Sequence, residues 1–133
     1  MEYSGATAEV IRYMEEAYSC GPEFLWAKTP GNAAFRHPGN KKWFAALLLD
    51  LPGKVLGLPD IQRVDVLNLK CDPRIAGALL DGRRYLPGYH MNKEHWISLL
   101  LDGSIPLDEI CGLIDLSYQL TAPKRKAPRQ ADL

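Results

Sequence analysis

Most of what would announce a chemistry is missing from these 133 residues. There is no net charge: 16 lysines and arginines stand against 16 aspartates and glutamates. That balance argues against a protein governed by nonspecific attraction to nucleic acid or to an anionic membrane. There are three cysteines, Cys20, Cys71 and Cys111, far apart and with no C-x-x-C. An odd, scattered set suits free thiols in a reducing cytoplasm, not a disulfide framework. No apolar run approaches the ~18 residues of a membrane-spanning helix. The first twenty residues hold four glutamates and no long apolar core, so a secretory signal is not expected. G-x-S-x-G, P-loop and G-x-G-x-x-G patterns are all missing, and no pair of carboxylates stands out for acid–base work. His90 and His95 are five residues apart and His37 is distant. A helical ligand pair would want a spacing of four and a strand pair two, so no bound metal is expected. The expectation is a cytoplasmic, non-enzymatic protein without a cofactor.

What is present is a core. Apolar residues make up 47% of 133 residues, enough for one domain. Residues 6–20 read as an amphipathic helix: Val10, Ile11, Met14 and Tyr18 recur at helical spacing. Thr7 or Ser4 can cap it, and Gly21-Pro22 stops it. Short strands are predicted at Glu23–Ala27, Ala34–His37, Lys42–Leu51 and Arg63–Lys70. The Gly- and Pro-rich stretch 52–60 between the last two reads as a loop. Asp72-Pro73 pairs an N-cap with a proline suited to a first helical turn. Ile75, Ala76, Leu79 and Leu80 supply the expected buried face of that helix, and Gly82 ends it. Leu86-Pro87-Gly88 signals a turn, and His95–Leu101 a strand. Ser104-Ile105-Pro106 opens a last helix with Asp108 and Glu109 in its first turn and the stripe Ile110, Leu113, Ile114, Tyr118. From Ala122 onward the chain reads as a flexible basic tail. No βαβ alternation is evident. The natural solution is a single α+β domain over residues 1–121, an antiparallel sheet with helices on one face, followed by a tail at 122–133.

Charge is unevenly spread. Residues 1–27 carry five acids and one base, and residues 28–100 carry eleven bases and six acids. Arg36, Lys41, Lys42, Lys70, Arg83, Arg84 and Lys93 lie near predicted strand ends or turns, with Tyr85, Tyr89 and Trp96 interleaved. Cations on a shared face contact phosphates, and exposed rings stack on bases. The plainer role for edge cations is to discourage edge-to-edge pairing, and for Trp96 to fill the core. Cys71 is the one thiol with a reason to react, because the Lys70 ammonium beside it could lower its pKa. Cys111, between Ile110 and Leu113, reads as packing. Pro123-Lys124-Arg125-Lys126 loosely matches a nuclear-import pattern and could add phosphate affinity.

The stretch PGYHMNKEHWISLLLDG at 87–103 resembles the signature of the MmcQ/YjbR family of small bacterial proteins. Lys42-Trp43-Phe44-Ala45 resembles that family's K-x-F-A segment, and Leu69-Lys70-Cys71-Asp72-Pro73 its L-K-x-D-P junction. Pro106 through Ser117-Tyr118-Gln119-Leu120 is similar to its closing helix. The resemblance runs from about residue 5 to 122. It implies a frataxin-like (CyaY-like) α+β sandwich and a DNA-binding label drawn from a double-wing analogy, which carries no function by itself. The loop 52–62 is longer than the family's usual hairpin, which puts a wing-like role for it in doubt. The candidate nucleic-acid or anion-binding residues are Lys42, Lys70, Arg83, Arg84, His90, Asn92, Lys93 and Trp96. The expected partner is DNA, bound weakly and with salt dependence. The alternative is a protein-interaction or small-anion-binding module using the same face. An iron-handling role would need an acidic ridge, and Glu2, Glu9, Glu15 and Glu16 are few and mixed with Arg12.

Overall fold

Three apolar runs dictate the centre of the molecule. In the computed structural model, which describes Tyr3 and residues 5–123, they become central strands of one sheet. The elements in chain order are α1 (Gly5–Tyr18), β1 (Ala33–Arg36), β2 (Trp43–Pro52), β3 (Arg63–Lys70), α2 (Pro73–Leu79), β4 (Tyr85–Pro87), β5 (Trp96–Leu100) and α3 (Leu107–Thr121), with a 3₁₀ turn at Gly53–Leu56. The sheet order is β1-β2-β3-β5-β4, and each neighbouring pair is antiparallel. This is the expected α+β domain.

Period-two alternation assigns the two faces. Leu47, Leu67 and Leu99 are in register across β2, β3 and β5, as are Ala45, Leu69 and Ile97. These side chains join Val10, Met14, Ile110 and Ile114 in the main core beneath α1 and α3. The two helices are tied together at Asp115. Its Oδ1 accepts from the Tyr13 hydroxyl at 2.7 Å and from the Tyr18 hydroxyl, while Tyr18 stacks on Tyr118 at 3.8 Å. Ser117 ties α3 to the sheet. Its hydroxyl donates to the Phe44 carbonyl at 2.5 Å and accepts the Lys70 N–H at 2.9 Å. Ser117 thus bridges two strands as well as sitting near a helix end.

The opposite sheet face is covered over one half only. There the segment after β2 folds back, and Leu58, Leu56 and Ile61 pack on Val64, Val66, Leu86 and Leu100 as a second apolar cluster. Gly53 makes the fold-back fit: a Cβ at that position would lie 1.9 Å from the Ile61 carbonyl oxygen. The long 52–62 loop is therefore a cover pressed onto the sheet, not a projecting wing.

Several expectations need correction. Glu23–Ala27 is not a strand; only Glu23 bridges to Ala34. The Trp26 ring packs edge-on against Trp43, with centroids 5.6 Å apart, and that tertiary contact takes the chain out of ladder geometry. Residues 85–87 are an edge strand where the local signal predicts only a turn. Pro87 is tolerated at an edge because no neighbour asks for its missing N–H. The inward face of α2 reduces to buried Ala76 and half-buried Leu79, with Ile75 and Leu80 exposed, because a seven-residue helix can press only one side onto the core. Its N-terminus is as expected: Asp72 Oδ1 accepts the Arg74 N–H at 2.8 Å and Pro73 follows. Thr7 is not a cap; its hydroxyl donates to Asp65 Oδ2 at 2.6 Å. The tail from residue 124 onward, with its basic run Lys124-Arg125-Lys126, lies outside the described residues.

Candidate functional site

The antiparallel register decides which candidates meet. Ala45, Leu69, Ile97 and Pro87 align across four strands. The start of β2, the end of β3, the start of β5 and the end of β4 therefore share one end of the sheet. Lys42, Lys70, His90, Asn92, Lys93 and Trp96 all belong to that end. Lys70 pairs with Trp96 in the ladder, and its Nζ lies 5.8 Å from the centre of the indole ring. Lys93 Nζ donates to the Gly88 carbonyl at 2.9 Å and so braces the turn from inside the loop. Asn92 Oδ1 accepts the Glu94 N–H at 2.9 Å, the turn-fixing bond expected of an Asn there. Lys42 is exposed, and its N–H is held by Asn40 Oδ1 at 3.0 Å.

Arg83 and Arg84 lie elsewhere. Arg84 offers its carbonyl to Leu100, the last residue of β5, at the opposite end from Trp96, roughly 13 Å along the strand. Both are engaged by acids: Arg83 with Asp60 at 3.0 Å and Arg84 with Asp81 at 3.3 Å. Asp81 also accepts the N–H groups of Tyr85, Arg83 and Arg84, which hold its carboxyl well below the usual carboxylate range. Local pattern offers no means of dividing the cations, because Arg83 and Asp60 are 23 residues apart with β3 and α2 between them.

Among the described residues every ion pair uses an arginine: Arg12, Arg36, Arg63, Arg74, Arg83 and Arg84. Lys42, Lys70 and Lys93 have no carboxylate partner among those residues. Cys71 departs from expectation. Burial pushes its thiol pKa up, and Asp72 adds to the shift, so the neighbouring Lys70 does not activate it. Burial raises Cys20 and Cys111 as well. Among the described residues no group of three His, Cys, Asp or Glu is arranged to hold a metal, and no helix is long and apolar enough to cross a membrane.

One cavity has no counterpart among the sequence expectations. It opens on the uncovered half of the second sheet face, beside the lysine-bearing end, and encloses about 500 Å³. Trp26, Trp43, Tyr89, His90 and Met91 wall it, and Ala46, Leu48 and Asn68 form its floor. Strict alternation would put Phe44 with Ala46 and Leu48. The register shifts between Phe35 and Arg36: Phe35 faces Ala45 and Arg36 faces Trp43, so Phe44 is the extra, bulged residue of β2. Phe44 then joins the main core and Trp43 turns to the cavity. The turn over the cavity is fixed from below: Asn68 Nδ2 donates to the Tyr89 carbonyl at 2.9 Å, and Ser98 Oγ accepts the Tyr89 N–H at 2.8 Å. The readable signal is the pair of polar residues, Asn68 and Ser98, set inside two apolar strands.

This architecture and these motifs recur in known proteins. The family model described as YjbR matches residues 14–120. The chain belongs to the YjbR family. The uncharacterized protein YyaQ of Bacillus subtilis is 44% identical over 113 residues, covering 85% of this chain and 95% of YyaQ. The uncharacterized protein YjbR of Escherichia coli K12 is 36% identical over 61 residues, covering 45% of this chain and 52% of that protein. A crystal structure of a Pseudomonas syringae protein superposes with a TM-score of 0.82 at 43% identity, covering 86% of this chain and 97% of that one. A Deinococcus radiodurans protein shares the fold alone, with a TM-score of 0.65 at 22% identity over 95% of this chain and 83% of its own.

Proposed function

We propose that this YjbR-family chain is a non-enzymatic, cytoplasmic binding protein that takes the phosphates of DNA on the lysine-bearing end of its sheet. The observation that carries the reading is the division of labour among the cations. The described arginines in ion pairs are neutralised by nearby acids, whereas Lys42, Lys70 and Lys93 have no such acid among the described residues. Ammonium groups of this kind can exchange condensed counterions for phosphates without first breaking a protein ion pair. Trp96, half-buried beside Lys70, offers ring surface at the same end. Among the described residues no helix rich in Arg, Asn and Gln is available to read base edges, so the binding is not sequence-specific. The neutral chain as a whole keeps it weak.

The test is fluorescence anisotropy with labelled double- and single-stranded DNA at several salt concentrations. Lys42→Ala, Lys70→Ala and Lys93→Ala should each weaken binding. Each should also flatten the dependence of log affinity on log salt by roughly 0.7–0.9 for every phosphate no longer neutralised. Arg83→Ala and Arg84→Ala, at the other end, should change little. Equal losses from both sets, or no binding at low salt, would sink the reading. The small cationic footprint left once Arg83 and Arg84 are set apart favours a second reading, a small anion or an acidic partner protein at the same end. Competition by inorganic phosphate without any dependence on DNA length would select it.

A further inference from the structure

The cavity on the second sheet face is built differently from the lysine-bearing end, and it supports an inference independent of DNA binding. Its concavity has a cause in the sheet. Ala34, Ala46, Asn68 and Ser98 stand in register across β1, β2, β3 and β5. Small side chains in one row leave a trough where the next row, Leu48, Val66 and Leu100, is filled. The 52–62 cover, through Leu56, Leu58 and Ile61, packs in one cluster with Val66 and Leu100 of that filled row. The trough is left open and about 500 Å³ in volume, within the range of small-molecule sites.

The walls specify a ligand class. Trp26 and Trp43 meet edge to face, with ring planes 83° apart, and Tyr89 and His90 form a second edge-to-face pair at 4.0 Å. Flat aromatic walls on two sides favour a flat guest, which gains stacking and edge contacts that an aliphatic chain of equal volume does not. Among the described residues no Asp, Glu, Lys or Arg lines the cavity, so an ionised group inside would go unpaired. Hydrogen-bonding groups are nevertheless present. Asn32 lines the cavity, is 9% exposed, and spends its Oδ1 on the Leu49 N–H at 2.8 Å, which leaves its Nδ2 with donors to spare. The His90 imidazole adds a donor or an acceptor, and the Thr29 hydroxyl adds both. His90 is held at φ 61°, a conformation costly for a side chain with a Cβ. The turn keeps that geometry through Asn68 and Ser98, and it is the geometry that presents an imidazole at the rim.

We propose that this cavity binds a neutral, planar heteroaromatic ring carrying hydrogen-bonding edge groups, of the kind found in purine and pyrimidine nucleosides. One indole of the perpendicular Trp26–Trp43 pair stacks on the ring while the other meets its edge, and Asn32 and His90 read its polar groups. The site works on an uncharged guest, so its affinity is insensitive to salt, unlike phosphate binding at the lysine end.

The experiment is an NMR titration of the full chain with adenosine and with uridine, and with cyclohexanol as an aliphatic control. Indole N–H signals of Trp26 and Trp43 and the backbone signals of residues 89–91 report on the site. The expected result is a saturable shift of these signals by at least one nucleoside, unchanged at high salt, with little response to cyclohexanol. Ala46→Leu, which fills the trough floor, should abolish it. His90→Gly, which suits the positive φ and so should fold, should weaken it at least several-fold. No shift up to the solubility limit of either nucleoside would overturn the proposal, as would equal response to cyclohexanol or undiminished binding in both variants. Loss of DNA affinity in Lys70→Ala with nucleoside shifts intact would separate this site from the phosphate reading.

Discussion

Ser117 shows how much one hydroxyl can do. It is fully buried, and it supplies a donor to Phe44 on β2 and an acceptor to Lys70 on β3. Ser117→Ala would leave the buried Phe44 carbonyl and the partly buried Lys70 N–H without this partner, at a cost of about 1–3 kcal/mol. Urea denaturation should show a lower midpoint at an unchanged slope. Local pattern can flag Ser117 as part of a family-like motif, and it can suggest a helix-end role. Its bridging of two strands depends on α3 crossing the sheet at one place, which neighbouring residues do not encode. Gly88 is a similar case. The motif at 87–103 draws attention to it, but its reason is spatial: a Cβ there would meet the Trp96 Cβ at 2.7 Å.

Between elements, the cover over the second sheet face and the α1–α3 clamp each have a measurable consequence. Leu58 is the buried centre of the cover, so Leu58→Ala should destabilise the fold by about 2–5 kcal/mol, read by thermal or urea unfolding. The Gly and Pro content of 52–60 marks a loop but does not say where Leu56, Leu58 and Ile61 go. The clamp is pH-sensitive at the alkaline side. The hydrogen bond from Tyr13 to Asp115 favours the neutral phenol, and with burial it raises the Tyr13 pKa from its ordinary 10.0 to about 12. Tyr18 is shifted in the same direction, chiefly by burial and then by Asp115. A raised folded-state pKa means the stabilisation is complete below pH 10.0 and is lost as pH climbs through about 12. Unfolding midpoints measured from about pH 9 upward should therefore fall across that window. Asp115→Ala should fall less steeply, because the carboxylate that penalises the phenolates is gone.

Across the whole molecule, charge is segregated by pairing more than by position in the sequence. The basic middle of the chain splits between arginines bound to acids and lysines that are not, among the described residues. A chain ending at Pro123 should keep the salt-dependent DNA affinity of the full chain if the sheet end is the binding surface. Side-by-side anisotropy titrations would check this, and complete loss on truncation would move the activity to the basic tail.

Local pattern was enough for most of the element types and for the family. Helical and alternating apolar periods, the Asp72-Pro73 helix start and the Lys42, Lys70 and 87–103 motifs are patterns among neighbours, and such patterns survive without tertiary context. Three further features follow only from the folded arrangement: which cations remain unpaired, which of Trp43 and Phe44 enters the core, and that half of one sheet face stays open. Each of these turns on long-range register or a one-residue bulge. A single-residue shift reverses the side a strand residue faces, and nothing in the neighbouring letters records it.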